Sequence, residues 1–175
     1  LPRLDWVMPS WLNLEGPDLN LHASVDSRAL ELIRHDKPSM PILPVVQNMD
    51  HGQWNGAGLA ALLAEPARRH ALVDALVGFL AAHRFQGLTV DFEDIPPSAQ
   101  ADLKRFLAEL SDAFAPHGWG IVLSVPFDDA DWDYKAYADL VDFELLMAYD
   151  EHWAGLTPGS IASQDWFERT LDKRM

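Results

Sequence analysis

The chain has 175 residues, 49% of them hydrophobic, which suits one substantial core and not two. Lys and Arg number 13 against 27 Asp and Glu, a formal net charge of -14 that repels nucleic acid and anionic membrane surfaces and excludes both as partners. There are no cysteines, which removes disulfides and thiolate chemistry and leaves the compartment open.

The first apolar run, Leu4 to Leu12, reads as a strand, and a short helix is expected near Ser27 to Arg34. Pro41 to Asn48 is a second strand, followed by a Gly-, Asn- and His-rich stretch, residues 48–58, that reads as one long loop. Pro66 fits the first turn of a helix carrying Leu72, Val73, Leu76, Val77 and Leu80 at helical spacing. Gly87 to Glu93 is a third strand. Leu103, Phe106, Leu107, Leu110 and Phe114 then mark a second long helix, which Gly118 should end in a left-handed conformation. Gly120 to Pro126 is a fourth strand, Tyr134 to Leu140 a short helix, and Phe143 to Asp150 a fifth strand. Ser163 is placed to cap a last helix from Gln164.

Strands alternating with helices imply a parallel sheet, and no strand is followed by a phosphate-binding glycine turn. Polar residues collect instead where strands end: Asn48 and Asp50, Asp91 and Glu93, Asp128, Tyr149 and Asp150. Convergence of strand ends on one face is the pattern of the (β/α)8 TIM barrel. Such a barrel needs about 250 residues. Five βα units in one domain, residues 1–175, therefore amount to an incomplete one. The chain opens on Leu1 without an initiator Met and shows no signal peptide, so a piece of a longer multidomain protein is expected. Exposed strands at both edges of an incomplete barrel would favour dimerisation.

The stretch "FQGLTVDFEDIPP" places Thr89, Asp91 and Glu93 on one face of a strand and Leu88, Val90 and Phe92 on the other. Two carboxylates two residues apart among apolar neighbours raise each other's proton affinity, which is what a general acid requires. The plain alternative is a pair of water-facing carboxylates at a loop. Asp150, Glu151 and His152, with Asp50 or His51, lack metal-ligand spacing, and no metal is expected. The aspartates at 128, 129, 131 and 133 lack the glycine and glutamate of a calcium loop and read as a solvated loop around Trp132. Ser124 lies within a strand without a nucleophile-elbow pattern.

"FQGLTVDFE" resembles the fourth-strand signature of glycoside hydrolase family 18, the chitinase-like enzymes, roughly F-D-G-x-D-x-D-x-E. "LLMAYDEHW" resembles that family's sixth strand, M-x-Y-D. The resemblance covers essentially the whole chain, from the family's second strand to the helix after its sixth, and so implies that the barrel's first and last strands are missing from these residues. Bacterial forms with "DFE" and "YDEHW" are similar, among them spore-cortex and peptidoglycan-type hydrolases. So are modules fused to a polysaccharide deacetylase and a family 2 glycosyltransferase.

The resemblance implies that Glu93 is the general acid/base, that Asp91 orients the substrate's acetamido group and that Tyr149 hydrogen-bonds it. Met147 and Asp150 would lie beside the floor of the site. With Thr89, Asn48, Trp54 and Trp153 they complete the expected substrate-binding set, the tryptophans as walls for sugar rings and Trp11 as a weaker candidate. Trp6, Trp119 and Trp166 are expected in the core. The implied chemistry is retaining and substrate-assisted, with no cofactor, on a polysaccharide or oligosaccharide containing N-acetylglucosamine. An extracytoplasmic or cell-envelope location is implied as well. Thr89 replaces the motif's first aspartate and is expected to hydrogen-bond Asp91, and Gln86 replaces the aspartate before the glycine. The competing expectation is a catalytically silent carbohydrate-binding module. A metal-dependent barrel hydrolase, the third, would require a chelator-sensitive activity.

Overall fold

The computed structural model describes residues 3–152, 155 and 157–174. β1 (Ser10–Glu15) turns at Gly16 and returns as the short β2 (Asn20–Ala23). α1 (Ser27–Asp36) follows, with the Asp26 side chain accepting from the Ala29 amide as its cap. β3 (Val45–Gln47) leads into a small hairpin, β4 (Met49–Asp50) and β5 (Gln53–Trp54). Then come α2 (Gly56–Ala64), α3 (Pro66–His83), β6 (Gly87–Asp91) and α4 (Gln100–Phe114). β7 (Gly120–Pro126), α5 (Tyr134–Ala138), β8 (Phe143–Met147) and α6 (Gln164–Arg174) complete the order.

The main sheet runs β2-β1-β3-β6-β7-β8. Every pairing in it is parallel except β2 against β1. Successive parallel strands are thus spatial neighbours with helices between most of them, the connection expected of a βα barrel. The sheet curls but does not close. Trp6, ahead of β1, meets Phe143 of β8 edge-on at 4.9 Å, although three strands separate β1 from β8.

Register fixes the faces. Val45, Thr89, Val122 and Phe143 lie in one row on the concave side. Leu88, Val90 and Leu123 point the other way and are fully buried beneath the helices. The α4 stripe of Leu103, Phe106, Leu107 and Leu110 is fully buried, as are Leu76 and Leu80 of α3. Arg69 of α3 reaches the carboxylate of Glu109 on α4 at 2.9 Å and the carbonyl of Leu63 on α2 at 2.6 Å. Its buried charge is thus both paired and hydrogen-bonded, the condition on which a buried ion is tolerated.

Several boundaries differ from expectation for local reasons. The first strand starts at Ser10, because Pro9 has no amide hydrogen for the ladder; upstream, Val7 makes a single bridge to Ile42. Pro41 and Pro44 shorten the second in the same way. The third ends at Asp91, since Asp94 turns the chain at φ 56°. The fifth ends at Met147, where Ala148 and Tyr149 hydrogen-bond back to Leu146 and Met147. The expected long loop contains the β4–β5 hairpin and the start of α2. That helix is apolar on every side, so no amphipathic period betrays it. Gly118 adopts φ 65°, and the Ser163 hydroxyl accepts from the Trp166 amide at 3.3 Å, both as the sequence predicts. Trp119 packs on Phe114 and Trp166 on Phe127. Trp11 is buried against Phe85, so it belongs to the core and not to a sugar-facing wall. Trp132 is buried against Tyr137, which corrects the picture of a wholly solvated loop around it.

Candidate active site

The site forms where β3, β6, β7 and β8 end. β6 leaves the ladder after Asp91, and Phe92 turns inward against Phe106 of α4. Glu93 is thereby brought to the surface, half-buried, at the mouth of the curled sheet. Its backbone is held by one side chain. Asn48 Nδ2 donates to the Glu93 carbonyl at 2.9 Å, and Asn48 Oδ1 accepts from the Glu93 amide at 2.9 Å. These two bonds take over where the β3–β6 ladder stops, at the pair Gln47 and Asp91. The carbonyl of Asn48 in turn accepts from the Asn55 amide, and the Asn55 side chain caps α2 through Gly58. At Gly56, a Cβ would lie 1.8 Å from the Asp94 carbonyl oxygen, so only glycine lets α2 begin against the Glu93 loop.

Asn48 was expected to contact substrate. The structure corrects this: its side chain is fully buried and its amide is committed to Glu93. Thr89 is corrected too. Its hydroxyl donates to the Leu43 carbonyl at 3.2 Å, and no Thr89–Asp91 hydrogen bond occurs among the described residues. The partner of Asp91 is Gln47, whose Nε2 donates to Oδ2 at 2.7 Å. Sequence reading passed over Gln47, yet the signal was there. It is the polar residue closing a buried strand, two positions from Val45 on the concave face.

Two adjoining hollows result. One, about 290 Å³, is lined by Thr89, Asp91, Ser124, Leu145, Met147 and Tyr149, with Met8, Ser10 and Val45 at its base. The other, about 170 Å³, is lined by Glu93, Asp94, Asp129, Trp132 and Met147. Met147 is the shared wall. Trp54 sits half-buried in the β4–β5 hairpin and lines neither hollow. Trp153 lies outside the described residues. Asp150 is exposed, at φ 66°, close enough for its charge to act on both Glu93 and Tyr149.

Electrostatics separate these groups. Burial pushes the Glu93 carboxyl above the ordinary range, and the negative charges of Asp91, Asp94 and Asp150 push it further. Burial likewise raises the Tyr149 hydroxyl, with help from Glu93, Asp91 and Asp150, although its side chain is 52% exposed. The arrangement can therefore present a protonated carboxylic acid, a phenol that keeps its proton and a carboxylate around one mouth. Among the described residues no group of three or more His, Asp or Glu has metal-binding geometry, and no helix is long and apolar enough to cross a membrane.

Comparison with known proteins agrees with the barrel-type fold. The chain is 25% identical over 157 residues to the uncharacterized glycosylase YvbX of Bacillus subtilis, 83% of this chain and 46% of that protein. It is 23% identical over 132 residues to the cortical fragment-lytic enzyme of the same species, 69% of this chain and 30% of that protein. It thus spans less than half the length of these curated relatives. A crystal structure of chitinase from Chromobacterium violaceum superposes with a TM-score of 0.86 at 25% identity, covering 99% of this chain and 57% of that one. The model of the glycosyl hydrolases family 18 matches residues 27–166, and the chain belongs to that family.

Proposed function

We propose that this chain carries the acid/base half of a glycosidase site acting on β-linked N-acetylhexosamine polymers: chitin, peptidoglycan glycan or poly-N-acetylglucosamine. The observation that carries the proposal is Glu93. It is a carboxyl raised by burial and by three neighbouring carboxylates, on a backbone pinned by Asn48, at the C-terminal mouth of a parallel barrel sheet.

In the proposed reaction the substrate's own acetamido oxygen attacks the anomeric carbon. The glycosidic C–O bond breaks as Glu93 gives its proton to the leaving oxygen. Asp91 and Tyr149 orient the acetamido group meanwhile. Water then opens the cyclic intermediate and returns a proton to Glu93, with retention overall. Neither carboxylate has to attack from the opposite face, which is compatible with two carboxyls two residues apart, one ending β6 and the other just beyond it. Polymers of this kind place the protein outside the cytoplasm or at the cell envelope, in keeping with a relative named as cortical fragment-lytic.

The test is release of reducing ends from N-acetylglucosamine oligomers and from peptidoglycan glycan strands by the full-length protein. Glu93→Gln should lower turnover by about 10²- to 10⁴-fold, the usual contribution of a general acid. Tyr149→Phe and Asp91→Asn should each raise KM as well as lower kcat. The binding-module reading has one observation in its favour: the Thr89 hydroxyl donates to the Leu43 carbonyl, so position 89 offers Asp91 neither a carboxylate nor a proton to share. It predicts saturable oligomer binding, weakened by Asp91→Ala, with no reducing ends from either protein. A chelator-abolished activity would instead support metal-dependent hydrolysis. Fusion to a deacetylase and a glycosyltransferase belongs to the binding-module reading and is tested by sequencing the flanking gene.

A further inference from the structure

Gln47 has no part in the chemistry above, yet it makes the one described hydrogen bond to the Asp91 carboxylate. β3 and β6 are in register there, Gln47 beside Asp91, so both side chains leave the same face of adjacent strands. The donor–acceptor distance is 2.7 Å, at the short end for an amide on a carboxylate. Thr89, the nearer hydroxyl along β6, has spent its proton on Leu43. On the other side of Gln47 the register sets Asn13 of β1, whose Oδ1 is buried with no hydrogen-bond partner among the described residues. The row Asn13–Gln47–Asp91 is thus polar and uncharged up to its last member.

The residue type matters. A lysine or arginine in place of Gln47 would hold Asp91 equally well and cancel its charge at Glu93. A neutral amide holds it and leaves that charge intact. The other ionisable groups lining the two hollows are Asp94, Asp129 and Tyr149, all acidic; the charge of Asp150 also acts on Glu93, and among the described residues no Lys or Arg lines either hollow. Asp50 and His51 follow Asn48 on the neighbouring hairpin.

We propose that Gln47 is a positioning residue acting through Asp91: its amide fixes that carboxylate beside Glu93 without neutralising it. The role rests on Glu93 being the acid of the reaction, but the contact can be tested without turnover. In the full-length protein carrying 13C-labelled glutamate, the Glu93 carboxyl is assigned by its loss in Glu93→Gln and titrated by NMR. Asp91→Asn should lower the Glu93 midpoint. Gln47→Met should lower it in the same direction by less, and the double variant should match Asp91→Asn alone. Gln47→Glu, nearly isosteric, adds a negative charge and should move the midpoint upward. In turnover, Gln47→Met should cut kcat on the order of tenfold and bring the alkaline limb of the pH profile to lower pH. An unmoved Glu93 midpoint in Gln47→Met overturns the proposal. So do additive shifts in the double variant, which would mean that Gln47 acts independently of Asp91, or the unfolding of both Gln47 variants, which would make its role structural. If Glu93→Gln turns over as fast as the parent, the catalytic reading of Glu93 fails, and the titration still decides whether Gln47 works through Asp91.

Discussion

β7 and β8 are adjacent parallel strands of similar apolar composition, yet one is core and the other is surface. Ile121, Val122, Leu123 and Val125 of β7 are between 0% and 2% exposed, whereas Phe143, Leu145 and Leu146 of β8 are 55%, 43% and 36% exposed. β7 has a parallel partner on each side, and β8 is paired to β7 alone among the described residues. An apolar run therefore specifies a strand, while its neighbours decide whether the run is buried. The candidate site spans this contrast: Asp91 and Glu93 stand on the enclosed side, Met147 and Tyr149 on the open one.

The sharpest way to break the comparison is a matched pair of truncations. Leu123→Ala removes a fully buried side chain and should cost about 3 kcal/mol, lowering Tm by roughly 6–12 °C. Leu145→Ala, 43% exposed on the next strand, should cost under ~1 kcal/mol. Equal losses in calorimetry would mean that β8 is covered in solution. Next in size is Asn48→Ala, which strips two hydrogen bonds from the Glu93 backbone at once. A loss of about 2 kcal/mol is expected, with kcat falling more than KM rises. A stability loss with unchanged kcat would make the Asn48 contact purely structural.

The contrast also marks what was legible in the sequence. The alternation of strands and helices was readable because Leu103 to Phe114 and Leu72 to Leu80 repeat at helical spacing. The motif residues Asp91, Glu93 and Tyr149 were readable by resemblance, and the structure brings them to one mouth. α2 was not readable, because an apolar segment with two glycines has no polar face to set its period. Nor was the division of labour at the end of β3. Asn48 and Gln47 are both amides after an apolar run, and only register tells that one holds a backbone and the other a carboxylate. Thr89 failed for a related reason: its hydroxyl had a choice of acceptors, and the carbonyl of Leu43 across the ladder was the better placed.

A smaller effect concerns the open side. A parallel strand with no partner on its outer side among the described residues, and with Leu145 and Leu146 exposed, is a template for pairing with a second copy. The 175-residue chain is expected to dimerise or to dissolve poorly, and Leu145→Lys should shift it toward monomer. Light scattering that finds clean monomers for the parent chain would remove this expectation.

The smallest effect reaches the enclosed side again, through pH. The folded-state proton affinity of Glu93 is raised, chiefly by burial and then by Asp91. A carboxyl raised in this way contributes its full stability below the ordinary carboxylate range and loses it as pH climbs through the folded value. Glutamine has no proton to lose. Glu93→Gln should therefore match the parent in Tm near pH 4 and exceed it near pH 7.5. On β8, Glu144 is raised by burial alone, and its Oε1 is buried with no hydrogen-bond partner among the described residues, so Glu144→Gln should show the same sign. Repeating the Glu93→Gln comparison in an Asp91→Asn background isolates what that neighbouring carboxylate adds at Glu93. If the gain is the same in both backgrounds, burial accounts for the shift without Asp91, and the charge of Asp91 is screened from the group it is held beside.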